Sequence, residues 1–484
     1  MKNFFRKKIK WTGIAAIFLF TAVMIAALAA FYSCGTIPGI GLADNENGDD
    51  LTFASQNNYA RNDIVVDDTI PIRETTKNDP PPARIEKDSF GAEPTEKEKP
   101  AEIPSGNLIG PPPNTDPPFV SSAPASQPAK DGTVKLSFLA AGDNVIHESI
   151  IDDARERAKE GEKFNFKDMY KDIGDIVKAA DIAMVNMETP IAGDDFEYSG
   201  YPNFNTPKED AFALIDIGFD IFNLANNHML DKWEQGYLNS INFWANQKNA
   251  FAIGGFRDKA DFENIRIYEK NGVSIAFLSY TYSTNGMNLP KDSKMAIPFL
   301  DDATVERQVK AAKPLADLLF VVMHWGDEDS FTPNQWQRSL AQMMADNGVD
   351  VIIGMHPHVF QETKWINRPD GKKTLITYSI GNMISNMYPA QNMIGGFLTF
   401  DIVKATKNGV SDTVIQNAKI IPVVTHYNMR RKNYQVYIFE NYTEELAKSH
   451  GGIDSDSKFS YKYLKDLVIK YVAPEFLSDF YKNK

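Results

Sequence analysis

Cysteine is almost absent. The single Cys34 in 484 residues excludes an intrachain disulfide framework and any cysteine-based zinc site. An excess of basic charge is absent too. Lys+Arg number 51 against Asp+Glu 64, a net charge of −13, from which no basic face is inferred and no nucleic-acid partner is expected. No internal repeat is visible, so repeat architectures drop out. Full disorder is excluded as well, because 43% of the chain is hydrophobic. The length allows two or three domains, or one large domain with appendages.

Local absences divide the chain. Residues 1–10 carry Lys2, Arg6, Lys7, Lys8 and Lys10 and no acid. Residues 11–32, from Trp11 to Tyr32, carry no charge at all. A helix of that length spans about 33 Å, the thickness of a bilayer core. The expectation is a cytoplasmic basic tail (1–10) and a single-pass transmembrane anchor (11–32), with the rest of the chain outside the cell. A cleaved signal peptide, with the small residues Ala26 to Ala30 at the cleavage point, is the competing reading. Lipid modification of Cys34 is a third, set against the poor lipobox Phe31-Tyr32-Ser33.

Residues 33–132 hold 15 of the 27 prolines but only four aromatics, Phe53, Tyr59, Phe90 and Phe119. Such a stretch buries too little apolar area to offset its ordering entropy. It reads as a disordered, acidic, proline-rich linker that holds the next domain away from the membrane.

From Val134 onward, short β-rich runs alternate with amphipathic stretches. Strands are expected over 135–141, 182–187, 221–225, 274–280, 318–323, 351–354, 375–379, 397–403 and 419–424. Helices are expected over 148–158, 166–180, 208–217, 232–247, 304–312 and 333–347. This alternation implies α/β layers around a largely buried sheet, within a domain spanning 133–430. The later strands lack helices between them and are expected to pair antiparallel. Residues 431–484 read as a C-terminal loop and helix.

Polar clusters follow the strong strands: Gly142-Asp143-Asn144, Asn186-Met187-Glu188, Asn226-Asn227-His228, His324-Trp325-Gly326, His356-Pro357-His358 and Ser379-Ile380-Gly381-Asn382. Ligands of open α/β sheets bind outside the carboxyl ends of the strands. Six such ends therefore describe one site. Five of the seven histidines (His147, His228, His324, His356, His358) fall in or beside these clusters. Imidazoles together with Asp143, Glu188 and Asn227 point to a borderline divalent cation such as Zn, Mn or Fe. His356 and His358, two apart on a segment that Pro357 biases to be extended, would project to one side. Ser379 lacks the Gly-x-Ser-x-Gly elbow of a nucleophile and reads as a loop former. Trp325 and Trp365 read as core.

These six motifs, in order from about Val134 to Thr425, resemble the CapA family of poly-γ-glutamate capsule biosynthesis proteins. That family is similar to the calcineurin-like metallophosphoesterases. The resemblance implies a four-layer α/β/β/α sandwich with a two-metal centre. It implies that Asp143 serves the first metal, that Glu188 bridges, and that Asn227 is an amide ligand. His324, His356 and His358 become imidazole ligands, and His228 a general acid. Glu328, just after His324-Trp325-Gly326, is expected to orient a ligand or contact substrate. The phosphoesterases place a histidine two residues after the Asp; here that position is Val145, with His147 two further on. The implied role is a membrane-anchored, extracellular protein of capsule or envelope-polymer biosynthesis with a metal-dependent hydrolase site. Its expected partners are an anionic polymer or its precursor and membrane-bound synthase subunits. The rival role is a non-catalytic accessory subunit of such a synthase, and an amide or peptide hydrolase on the same centre is a third.

Overall fold

Two mixed sheets carry the fold in the computed structural model, which describes residues 131–482. The expected basic tail, anchor and all but the last two residues of the 33–132 linker lie outside the described residues. Among the described residues, no helix is long and apolar enough to cross a membrane.

The first sheet contains β1 (Gly132–Asn144), β2 (Ile182–Asn186), β3 (Ile221–Asn223) and β4 (Phe251–Ile253), all parallel. β12 (Ile394–Lys407), β13 (Val410–His426) and β14 (Gln435–Ile438) extend it antiparallel on the other side of β1. In the second sheet, β6 (Val273–Thr281), β7 (Leu318–His324), β8 (Val351–Met355) and β10 (Lys373–Thr377) run parallel. β5 (Arg266–Lys270) and β9 (Thr363–Asn367) close its two edges antiparallel. A short strand, β11 (Asn382–Ile384), leaves β10 and pairs with β1. It brings the carboxyl ends of the two sheets together.

Period-two alternation sorts side chains between layers. On β7, Phe320 and Val322 face the other sheet, whereas Leu319, Val321 and Met323 face helices Asp302–Ala312 and Gln335–Asp346. The inter-sheet core centres on Phe320, whose ring lies 5.2 Å from that of Phe138 and 5.7 Å from that of Phe400. Each such ring stabilises the layer contact by about 1.5–3 kcal/mol through burial. The outer face of the first sheet is covered by helices including Trp233–Ala245, whose Trp244 stacks on Phe222 at 4.2 Å. Asn334 and Gln337 form a reciprocal capping box that starts the Gln335–Asp346 helix.

Three expectations need correction. Of the later strands expected to pair antiparallel, β8 and β10 pair parallel, because β9 runs back along the outer edge of β10 between them in sequence. The helix expected over 166–180 is a 3-10 turn, Lys167–Met169, followed by a short helix, Gly174–Ala179. Tyr170 is fully buried between them, and its hydroxyl bonds to Asn144 and Asp210, so tertiary anchoring overrides the helical periodicity. The 431–484 segment is more than a loop and helix. It supplies the edge strand β14, and Tyr434, Phe439, Leu464 and Val468 join the main core.

Candidate metal centre

The strand ends converge as their polar clusters require. Asp143 ends β1, Glu188 follows β2, Asn227 and His228 follow β3, His324 ends β7, and His356 and His358 follow β8. Close backbone approach makes this possible. A Cβ on Gly354 would lie 1.9 Å from the Tyr378 carbonyl oxygen, and one on Gly142 would lie 1.9 Å from that of Gly381.

Seven of the eight candidate residues are buried. The ligand atoms of Asp143, Glu188 and His324 lie within 4.8 Å of one another, as do those of Glu188, His356 and His358. Glu188 belongs to both groups. Its oxygen lies 3.8 Å from His324 Nε2 and 3.5 Å from His358 Nε2. Asn227 Oδ1 lies 2.9 Å from His324 Nε2. The carboxylate of Asp143 accepts from Asn186 Nδ2 at 2.7 Å and from the His356 backbone N–H at 3.2 Å.

The segment carrying His356 and His358 is not extended as expected. Both residues are left-handed, at φ +96° and +58°. Non-glycine residues held there cost about 1–3 kcal/mol each. The Asp143 contact and the bond from Asp329 N to Pro357 O, 3.0 Å, hold them in place.

Whether a cation fits is decided by atoms left without partners. Both carboxylate oxygens of Glu188, Nδ1 of His324 and Nδ1 of His356 are buried without a hydrogen-bond partner. A buried carboxylate with neither oxygen satisfied is costly, unless a cation takes the place of the missing donors. The donor set of carboxylate, amide and imidazole matches a borderline divalent metal. The residues present therefore fit one.

The electrostatics agree. Burial, then neighbouring histidines, hold His324 and His356 well below the ordinary imidazole pKa, so both rings are neutral and ready to ligate. Burial raises Glu188 well above the ordinary carboxylate range, with Asp143 and Glu328 adding to the rise and His358 opposing it. Burial also works against a charged His358, but the Glu188 and Asp143 carboxylates outweigh it and raise the ring to about 10.

His228 belongs to neither ligand group. Its Nδ1 lies 2.8 Å from Asp231 Oδ2, a carboxylate fixed in turn by the Phe204 backbone N–H at 2.8 Å. Glu328 stands on an exposed loop, near enough for its charge to raise Glu188 and Tyr282. Val145 is buried. His147 is half-buried, and its Nδ1 takes the Asn386 backbone N–H at 3.1 Å. Burial lowers it to about 4, so it too is neutral. Trp325 is fully buried, with its indole N–H on the Tyr378 carbonyl, and Ser379 caps the Gly381 N–H of its own loop.

Sequence reasoning missed three participants. Asp231 was visible as a carboxylate three residues after His228. Asn382 stood inside a quoted motif, and its Oδ1 lies 2.9 Å from His358 Nδ1. Asn285, which links Asn227 at 3.1 Å to His228 at 3.4 Å, gives no sequence signal, because it reaches the site from a loop after β6.

Residues 137–387 match the model of the bacterial capsule synthesis protein family PGA_cap, and the chain belongs to that family. The PGA biosynthesis protein CapA of Bacillus subtilis (strain 168) is 31% identical over 249 residues, 50% of this chain and 64% of that protein. The capsule biosynthesis protein CapA of Bacillus anthracis is 30% identical over 224 residues, 45% of this chain and 53% of that protein. The matches thus span less than two thirds of either relative. Among solved structures, the calcineurin-like phosphoesterase YfkN from Bacillus subtilis aligns with 60% of this chain and 91% of its own, at 13% identity and a TM-score of 0.34. A likeness at that level decides nothing about chemistry.

Proposed function

We propose that this chain is an extracellular, membrane-anchored protein of envelope-polymer biosynthesis, with a metal-dependent hydrolase site in a metallophosphoesterase-like α/β/β/α sandwich. The observation that carries the hydrolase reading is Glu188, buried with both oxygens unpartnered and shared by two groups of ligand atoms. Asp143, Glu188, Asn227, His324, His356 and His358 would hold divalent transition metal (Mn, Zn or Fe), two ions in the proposed reading. When bound, such ions supply Lewis acidity and a nucleophile near neutral pH.

The chain's own residues do the rest. Nδ1 of His228 is committed to Asp231, so Nε2 is the nitrogen left to deliver a proton to a leaving oxygen. Asn285 steadies Asn227 beside it. Glu328 stands on the exposed side, where it meets an incoming substrate. The substrate proposed is an anionic envelope polymer or precursor such as poly-γ-glutamate, handled beside a membrane-bound synthase. The uncharged Trp11–Tyr32 run supports the anchor.

One observation favours a second reading, a polymer-binding accessory subunit without turnover. The first strand offers Val145 where the phosphoesterases have a ligand, and His147 has already committed Nδ1 to Asn386.

The test is turnover of a phosphodiester and of a γ-glutamyl oligomer by full-length protein purified from membranes and supplied with Mn²⁺. Activity on either that disappears in Asp143→Ala supports the hydrolase. No turnover of either, with metal bound, leaves the accessory reading.

A further inference from the structure

Beyond the metal centre, the most distinctive charged feature is the turn 428–433. It carries Arg430, Arg431 and Lys432 in succession within a chain of net charge −13. The turn is built rather than loose. The Asn428 side chain accepts the backbone N–H groups of Arg430 and Lys432 at 2.9 and 3.2 Å. Buried Asp153 accepts those of Asn433 and Tyr434 at 2.9 and 2.8 Å. Arg431 and Asn433 are both left-handed, at φ +54° and +59°. These bonds and the left-handed Arg431 hold the backbone of the turn in one conformation.

The cations on this turn are unequally engaged. Lys432 pairs with Glu156. Among the described residues, neither Arg430 nor Arg431 has a carboxylate within 4.0 Å, whereas Arg307 faces Glu263 and Arg368 faces Asp350 and Asp370. Arg431 lies over the ring of Tyr388 at 5.1 Å, and Tyr388 is 64% exposed. The Arg431 guanidinium also hydrogen-bonds the Tyr388 side chain, which leaves its other N–H groups for an anion.

The turn is linked to the metal centre by a short chain of contacts that starts at Tyr388. Tyr388 follows Met387, whose sulfur lies 3.6 Å from Asn382 Nδ2, and Asn382 Oδ1 lies 2.9 Å from His358 Nδ1. Two residues before Tyr388, the Asn386 backbone N–H bonds to His147. The centre itself is rich in acid, with Asp143, Glu188 and Glu328. A polyanion approaching it needs opposite charge close by.

We propose that Arg430 and Arg431, with Tyr388 as platform, form an anion subsite beside the metal centre that holds carboxylates of the polymer while another part of it reaches the metals. This rests on the polymer reading above and adds the residues that recognise the substrate. Each arginine offers N–H groups that match a carboxylate, and successive carboxylates of one polymer supply the carboxylate partner that neither has among the described residues.

The test uses full-length protein in detergent and a fluorescein-labelled γ-linked glutamate oligomer, with binding read by anisotropy at two salt concentrations. Replacing both arginines by glutamine is expected to weaken binding by about tenfold or more and to flatten its salt dependence. Metal content, melting temperature and turnover of a small phosphodiester stay unchanged, and Arg431→Lys recovers part of the salt dependence but not the full affinity. Unchanged oligomer binding in the double variant overturns the subsite. If the wild type ignores the γ-glutamyl oligomer but binds poly(glycerol phosphate) through these arginines, the γ-glutamyl assignment fails and the subsite stands. Binding of neither polymer overturns both. Arginine-dependent binding to anionic lipid vesicles, without oligomer binding, also overturns the subsite and makes the turn a membrane contact.

Discussion

His324 Nε2 lies 2.9 Å from Asn227 Oδ1, although the two side chains come from different sheets. The contact is the point at which β7 of one sheet and the segment after β3 of the other meet over a single centre. Neither sheet alone presents the full donor set: Asp143, Glu188 and Asn227 come from the first, and His324, His356 and His358 from the second. Packing around Phe320 and Phe138 is therefore also what assembles the site.

His228 and Asp231 are expected to separate chemistry from metal binding. His228→Ala should leave metal content and folding near wild type and lower turnover by about 10²–10⁴-fold, the usual worth of general acid–base catalysis. Asp231→Asn should lower turnover less, with metal content unchanged, since it alters only the hydrogen bond at His228 Nδ1. Elemental analysis together with the turnover rate checks both. Loss of metal from His228→Ala would move that residue into the ligand set.

Metal affinity is expected to rise with pH. His324 and His356 are already neutral, but His358 is held up to about 10 by the two carboxylates and must shed its proton to ligate. Glu188, also raised by burial, must release its proton too, so between about pH 6 and pH 8 affinity should climb about tenfold or more per pH unit. Titration of metal-free protein with Mn²⁺ at several pH values measures this. A flat profile would show that His358 binds metal without releasing a proton, or does not bind it.

The folded protein should weaken on acidification for a reason separate from its metal. Burial lowers His426 to about 4 and His450 to about 3, so both stay neutral in the fold while the unfolded chain protonates near 6.5. Their stabilisation is present above the unfolded value and is lost as pH falls from about 6.5 toward 4. His358 acts in the opposite sense: its contribution is present below about 6.5 and fades as pH rises toward 10. Melting curves of metal-free protein should show a fall between about pH 7 and pH 5 that is smaller in the His426→Gln, His450→Gln variant.

The central strands were readable because each is a short apolar run ending in a polar cluster, as Leu318–His324 is. The strands that escaped are mostly edges. β4, β5, β9 and β14 terminate the two sheets, and edge strands are short or carry polar residues such as Arg266, Glu269 and Lys364. The convergence of Asp143, Glu188, His324, His356 and His358 was legible from their strand-end positions. The conformation that presents His356 and His358 was not, because the proline rule favours extended backbone there and tertiary contacts to Asp143 and Asp329 overrule it. Asn285 and the Arg431–Tyr388 pair were invisible for another reason. Their roles come from loops that meet only in the folded chain.

Glu188 is the residue on which the metal reading stands, since it is shared by both ligand groups and has no other partner. The most direct test is the metal content of full-length protein and of Glu188→Ala, purified in parallel without added metal and measured by elemental analysis. The wild type should carry Mn, Zn or Fe at about one to two equivalents, and Glu188→Ala should fall to roughly a tenth of that or less while still folded. A wild-type protein free of transition metal, or a Glu188→Ala variant with undiminished content, would contradict the account.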